Sequence, residues 1–88
     1  MVHASEKLNP SADVLARVQE VFRAELDDEG LVIAPDTSQK TLKAWDSLAH
    51  IRLVSGLENE FDIQFNLTEI EQISSVQQFV RLIEERAR

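Results

Sequence analysis

Asp46, Ser47 and His50 bring an acid, a hydroxyl and an imidazole within five positions of the sequence. On a helix Ser47 and His50 would be neighbours, which suggests a serine hydrolase. A triad, however, needs its acid on the far side of the histidine and an oxyanion hole in a water-poor cleft. Here Asp46 precedes the serine, and no glycine-rich nucleophile elbow surrounds it. We therefore predict no catalytic residues and expect that the protein is not an enzyme.

Other ligand-bearing side chains are too scattered for a metal site. His3 lies near the N-terminus and His50 stands alone, without the paired spacing that a tetrahedral site requires. The acidic run that ends at Gly30 lacks the alternating oxygen ligands of a calcium loop. Gly30 and Gly56 stand too far apart for a phosphate-binding loop. The sequence thus predicts no metal site.

Ser47 is still a candidate functional residue, because a predicted apolar helix begins there. Asp46 can cap the free N–H groups of such a helix. Those groups and the helix dipole favour an anion, so a phosphodiester on the Ser47 hydroxyl would be well accommodated. Ser and Asp are equally common at ordinary helix starts. The spacing alone leaves both interpretations open.

Apolar residues at steps of three and four predict the first helix, with Asn9 as its N-cap, Pro10 as its first residue and Gly30 as its stop. Residues 31–45 lack a sustained period and are predicted to form a long loop. We expect the apolar residues of this loop, Trp45 above all, to pin it to the core.

The second helix is predicted to run from Ser47 to Phe61. Its expected core stripe consists of Leu48, Ile51, Val54, Leu57 and Phe61, and Leu53 is expected to widen this apolar face. Its expected outer stripe consists of Ala49, Arg52, Ser55 and Asn59. Gly56 inside the helix predicts a close contact with a neighbouring helix, because glycine otherwise costs about 1 kcal/mol against alanine.

The remaining residues predict two further helices. After an extended connection at residues 62–65, a short third helix spans residues 67–73, with Asn66 or Thr68 as its cap. Ser74 and Gln77 have capping-box spacing at the start of the fourth helix. The fold class is therefore all-α: a four-helix bundle of three main helices and a short third, with a long loop between the first two. Residues 1–9 are expected to form a flexible tail, and residues 10–88 a single domain.

The composition narrows the possible partners. With 88 residues and no cysteine, the chain must be stabilised by packing alone. A formal net charge of −7 argues against binding to nucleic acids or anionic membranes and favours partners with a basic surface. No apolar run is long enough for a signal peptide or for a membrane-spanning helix. We expect a cytoplasmic monomer.

The stretch from Asp46-Ser47-Leu48 to Ile63 resembles the acyl carrier protein family, whose Asp-Ser-Leu motif opens the second helix. The resemblance extends over residues 10 to 86. It implies that a phosphopantetheinyl transferase attaches 4′-phosphopantetheine from coenzyme A to Ser47, and that acyl groups are then carried as thioesters. It also implies that Asp46 caps the helix and can help to hold the transferase's magnesium, and that Leu48 is an apolar anchor for partners.

The resemblance further suggests which residues meet partners and cargo. Partner contacts are expected at Leu48, Ala49, Arg52, Ser55, Glu58 and Asn59. Candidate linings for a sheltered acyl chain are Val54, Leu57, Ile63 and Ile73, which are also expected in the core. Expected partners besides the transferase are an acyl- or aminoacyl-activating ligase and synthase or transferase enzymes.

Two residues depart from the family pattern. Arg52 stands where carriers of fatty-acid synthesis have an acidic outward face, and Trp45 replaces a small residue before Asp46. Both favour a specialised carrier for a fatty-acid-like, polyketide or other pathway. An aminoacyl or peptidyl carrier stays open, although Lys43 and Ala44 stand where such motifs often have glycines. From another class, an unmodified helical adaptor is the alternative.

Overall fold

The computed structural model describes residues 10–86, with side chains described from residue 13. Its helices are α1 (Pro10–Glu25), α2 (Ser47–Phe61), α3 (Leu67–Gln72) and α4 (Val76–Arg86). These described residues contain no strand, only one isolated bridge between Ser38 and Ser75. The predicted all-α class, with three main helices, a short third and a long loop, is confirmed. The expected tail and the Asn9 cap lie outside the described residues, so the division into tail and domain stays a prediction.

An aromatic cluster forms the centre of the core, where α1 packs against both α2 and α4. Trp45 is only 1% exposed. Its ring meets Phe22 edge-on at 5.1 Å and stacks on Phe79 at 5.9 Å between ring centroids. The prediction that Trp45 pins the loop to the core is confirmed, and the residue just before Asp46 is thereby fixed in space.

α1 ends at Glu25, before the predicted stop at Gly30. The reason is Asp27, which adopts the left-handed conformation with φ 54°. The Asp28 N–H then reaches back to the Arg23 carbonyl at 3.0 Å, the pattern of a Schellman motif. Aspartate tolerates this conformation better than most residues, so the predicted glycine stop was wrong.

α2 lies against α1 at Gly56. A Cβ atom added at Gly56 would lie 2.8 Å from Cγ1 of Val21 and 3.2 Å from a carboxylate oxygen of Glu25. These distances are below van der Waals contact. The predicted close helix–helix contact at Gly56 is confirmed, and it sets how α2 lies on α1.

The long loop is joined to the start of α4 by backbone hydrogen bonds. The Val76 and Gln77 N–H groups donate to the carbonyls of Thr37 and Pro35, both at 2.9 Å, and the Gln39 N–H donates to Ser74 at 3.0 Å. The first N–H groups of a helix have no acceptor within it. The loop carbonyls provide these acceptors for α4.

The cap of α4 is shifted by one residue from its prediction. Ser75, not Ser74, accepts weakly from the Gln78 N–H at 3.4 Å, and the Gln78 side chain, not that of Gln77, accepts from the Ser75 N–H at 3.0 Å. This register places the fully buried Val76 at the first helical position. Burial therefore decides between two serines with equal capping chemistry.

α3 has no fully buried residue; its Ile70 packs partly against the core, and polar contacts fix the helix further. Asn66 caps it, one of the two predicted caps, in a capping box with Glu69. Arg86 on α4 donates to both carboxylate oxygens of Glu69 and, at 2.9 Å, to the Gln64 carbonyl. The Arg86 hydrogen bond, and next the Asn66 N–H, lower the pKa of Glu69, while Glu69 raises the pKa of Arg86. Polar contacts thus join α3 to α4.

Candidate functional site

Ser47 is an exposed hydroxyl at the first position of α2, placed there by the cap before it. Asp46 is extended, with φ −92° and ψ −172°, and its Oδ1 accepts from the Ala49 N–H at 2.9 Å. The Asp46 carbonyl accepts from the His50 N–H at 2.8 Å. Within residues 10–86 no hydrogen bond restrains the Ser47 hydroxyl. The predicted cap role of Asp46 is confirmed, and the Ser47 hydroxyl is exposed to solvent.

Two hydrogen bonds occupy the ring nitrogens of His50 and keep it from acting as a base toward Ser47. It is 8% exposed, its Nδ1 accepts from the Trp45 indole N–H at 3.0 Å, and its Nε2 lies 2.8 Å from the Ile70 carbonyl. Because Nδ1 accepts, the ring is neutral with its proton on Nε2, which donates to Ile70. To act as a base toward Ser47, the imidazole would have to lose a buried hydrogen bond. This argues against a serine hydrolase.

The backbone around Ser47 suits an anion. The Ser47 and Leu48 N–H groups have no acceptor within residues 10–86, and no acidic residue occupies the first turn of the 15-residue α2. Free N–H groups and the positive end of the dipole favour a phosphate at this helix end. The residues present therefore fit a phosphodiester at the Ser47 hydroxyl.

The exposed face of α2 differs from the predicted stripes at three positions. Ala49 is 6% exposed, so its expected place on the outer face was wrong. Ile51 is 56% exposed and Leu48 is 63% exposed, so their expected place in the core was also wrong. The reason is that His50 takes a core position of α2 together with Leu53, whose place on the apolar face is confirmed. An apolar pair, Leu48 and Ile51, therefore lies on the surface beside Ser47.

Of the other predicted partner residues, three have exposed side chains and one accepts a hydrogen bond from the backbone. Arg52, Ser55 and Asn59 are exposed, as predicted for the outer stripe. The Glu58 carboxylate is half-buried and accepts from the Phe65 N–H at 2.9 Å. Glu58 therefore has a structural role in fixing the connection after α2, and a partner role for it stays a prediction.

The four candidate acyl-chain residues all belong to or pack against one hydrophobic core. Val54, Leu57 and Ile73 are buried, and Ile63 is half-buried against the same cluster. Their core role is confirmed. Ile73 lines an open groove of about 330 Å³ between α3 and α4, together with Leu82 and polar side chains. Shelter of an acyl chain by these residues stays a prediction.

The surface residue that sequence reasoning missed is Ile51. Its step of three from Leu48 and from Val54 fits a core stripe as well as an outer one. A signal for the correct rotation was present in His50, Leu53, Leu57 and Phe61, which also step by three or four. Reading this set as the core would have placed Ile51 outside.

Comparison with known proteins agrees with this geometry. Residues 12–83 match the family model described as phosphopantetheine attachment site. An acyl carrier protein from the alga Cyanidioschyzon merolae is 34% identical over 70 residues, 80% of this chain and 77% of that protein. The chain belongs to the acyl carrier protein family. The solution structure of a holo acyl carrier protein from Geobacter metallireducens superposes with a TM-score of 0.76 at 32% identity, covering 83% of this chain and 84% of that one.

Membership defines the cofactor and the general role. The chain is an acyl carrier protein, and its cofactor is a covalently attached 4′-phosphopantetheine, which supplies a thiol that forms thioesters. Members of the family are carriers rather than catalysts, and they interact with phosphopantetheinyl transferases and biosynthetic enzymes. Among residues 10–86, no helix combines the length and the apolar character needed to cross a membrane.

Proposed function

We propose that Ser47 is the attachment residue and that the protein carries acyl intermediates as thioesters at the end of the attached arm. The observation that carries this proposal is the Ser47 hydroxyl itself, exposed and unrestrained at the N-terminus of α2. The unpaired N–H groups of Ser47 and Leu48 support it, because they would face the phosphodiester charge. The fixed Trp45 and Asp46 hold this start of the helix in place.

In the attachment reaction the Ser47 oxygen forms a bond to the phosphorus next to the pantetheine moiety of coenzyme A. The bond from that phosphorus to the bridging pyrophosphate oxygen breaks, and adenosine 3′,5′-bisphosphate leaves. The transferase accepts the hydroxyl proton and holds the leaving group. This chain presents the hydroxyl, and its exposed Asp46 still has one carboxylate oxygen outside the cap that can help to hold the transferase's magnesium.

The pathway we propose is a specialised one, fatty-acid-like, polyketide or other, served by its own ligase and synthase. Two departures from the family pattern support this: Arg52 is exposed on the helix that partners meet, and Trp45 is built into the core beneath the motif. We expect that the protein is not an enzyme, that it is a monomer and that it resides in the cytoplasm. An aminoacyl or peptidyl cargo is the alternative within the fold.

Intact mass spectrometry tests the attachment site. Incubation with coenzyme A and a permissive phosphopantetheinyl transferase should raise the mass by one phosphopantetheine arm. Ser47→Ala should abolish the increase, whereas the matched control Ser74→Ala, at an exposed serine outside α2, should retain it. An increase that survives Ser47→Ala would refute the assignment. Absence of any increase with several transferases would favour the unmodified adaptor.

The class of cargo is tested on the same holo protein. Ligases that activate fatty acids and ligases that activate amino acids are offered the free thiol in parallel. We expect thioester formation with the acyl-activating enzymes. Loading by amino-acid-activating enzymes alone would replace the acyl proposal with an aminoacyl carrier.

A further inference from the structure

Arg52 is the one charged side chain of α2 left without a partner in the described structure. Glu58 binds the Phe65 N–H, and Glu60 pairs with Arg17 at 2.9 Å. His50 is neutral and buried, with both ring nitrogens occupied. Arg52 is exposed and forms no ion pair within residues 10–86. Although α2 contains two acids, its exposed face therefore presents a positive charge.

The sequence around Ser47 also carries a net positive charge. Residues 38–57 contain three cations, Lys40, Lys43 and Arg52, and a single acid, Asp46, whose carboxylate caps α2. Both lysines are exposed and, within the described part of the chain, form no ion pair. The chain as a whole has a net charge of −7. Its acidic excess therefore lies outside the segment that carries the attachment serine.

Apolar surface lies directly beside this charge. Ile51 and Arg52 follow Leu48 by three and four positions, so both neighbour Leu48 on the exposed side of α2 next to Ser47. A groove of about 210 Å³ is lined by Leu48 and Arg52, by the cap residue Asp46, and by Glu25 and Asp27. Glu25 is the last residue of α1 and Asp27 follows it. None of these acids forms an ion pair with Arg52, whose guanidinium stays available.

We propose that this face selects enzymes that present an acidic side chain to Arg52 beside an apolar socket for Leu48 and Ile51. This inference rests on the proposed attachment at Ser47, since it concerns the enzymes that must reach that residue. Complementary charge at the rim of an interface steers association and discriminates between partners. A protein surface fits better than a nucleic acid or an anionic membrane, because the overall charge of −7 repels a polyanion while one local acid is attracted.

The test uses one phosphopantetheinyl transferase in two versions, one with basic residues on its docking face and one with these replaced by glutamate. The measurement is kcat/KM for loading of Ser47, on wild type and on Arg52→Glu. Wild type should favour the acidic version, and Arg52→Glu should shift the ratio of the two rates by about fivefold or more toward the basic one. The shift should shrink as salt is raised.

Arg81→Glu is the matched control, because Arg81 is an exposed cation on α4 and its reversal changes the net charge equally. It should leave the ratio at the wild-type value. An equal shift in both variants, or none in Arg52→Glu, overturns the inference while loading of Ser47 keeps the carrier function intact. Failure of both transferases to load Ser47 overturns the carrier function as well. Circular dichroism melts should show that both variants are folded.

Discussion

His50→Ala tests whether the buried Trp45–His50–Ile70 connection stabilises the start of α2. The substitution removes two hydrogen bonds of 3.0 and 2.8 Å, and it leaves the indole N–H and the Ile70 carbonyl without these partners. An unsatisfied buried polar group costs about 1–3 kcal/mol, and the lost ring volume adds roughly 1 kcal/mol. We therefore expect the free energy of unfolding to fall by about 3 kcal/mol. For an 88-residue domain this is a large fraction of the roughly 4–13 kcal/mol available.

Urea unfolding measures this change, and Trp45, the only tryptophan of the chain, provides the fluorescence signal. Arg52→Ala is the control on the same helix, since its exposed side chain should matter by less than about 0.5 kcal/mol. Trp45→Phe, followed by circular dichroism, completes a double-mutant cycle with His50→Ala and should show coupling above about 0.5 kcal/mol. A loss below about 1 kcal/mol for His50→Ala would refute the reasoning.

Two further predictions concern helix contacts. Gly56→Ala should lower the free energy of unfolding by about 1–2 kcal/mol, despite better helix propensity, because its Cβ would lie 2.8 Å from Val21 Cγ1. A more stable variant in urea would contradict this, and Gly56→Ala should cost less in a Val21→Ala background than in wild type. The pKa of Glu69 is lowered from its usual 4.5, chiefly by the Arg86 hydrogen bond and next by the Asn66 N–H. The stability that Glu69 adds is therefore present above the usual carboxyl pKa and lost as pH falls through the lowered one. Wild type should exceed Glu69→Gln in urea midpoint at pH 7, and the difference should vanish in acid; a difference independent of pH would exclude a charge effect.

Local chemistry determines which features could be predicted from the sequence. Asp46 and Ser47 are assigned correctly because an N-cap acts within three residues and is recognisable without the rest of the fold. Gly56 is assigned correctly because glycine destabilises the interior of a helix unless a close neighbour leaves no space for a side chain. Asp46 and Ser47 lie where these short-range signals are strongest, and for that reason their place at the start of α2 could be derived.

The errors arise where distant contacts decide. His50 takes a core position because its two partners, Trp45 and the Ile70 carbonyl, satisfy both ring nitrogens. The helical period fits a core face with His50 as well as one with Ile51, and only these distant contacts decide between the two. Likewise, nothing local marks Asp27 as the end of α1 rather than Gly30. The identity of the exposed apolar pair on α2 thus depends on residues that lie outside this helix.

The hydrogen bonds between the long loop and α4 bear on protein engineering. Surface loops are the usual places for inserted tags and fused domains. Here a residue inserted between Pro35 and Gln39 would displace the carbonyls that receive the Val76 and Gln77 N–H groups, and would weaken the start of a helix that lies far along the sequence. The exposed turn at residues 27–30 has local hydrogen bonds, but Asp27 lines the groove beside Leu48 and Arg52. A fusion at either place would therefore disturb a helix start or the face that we propose for partners.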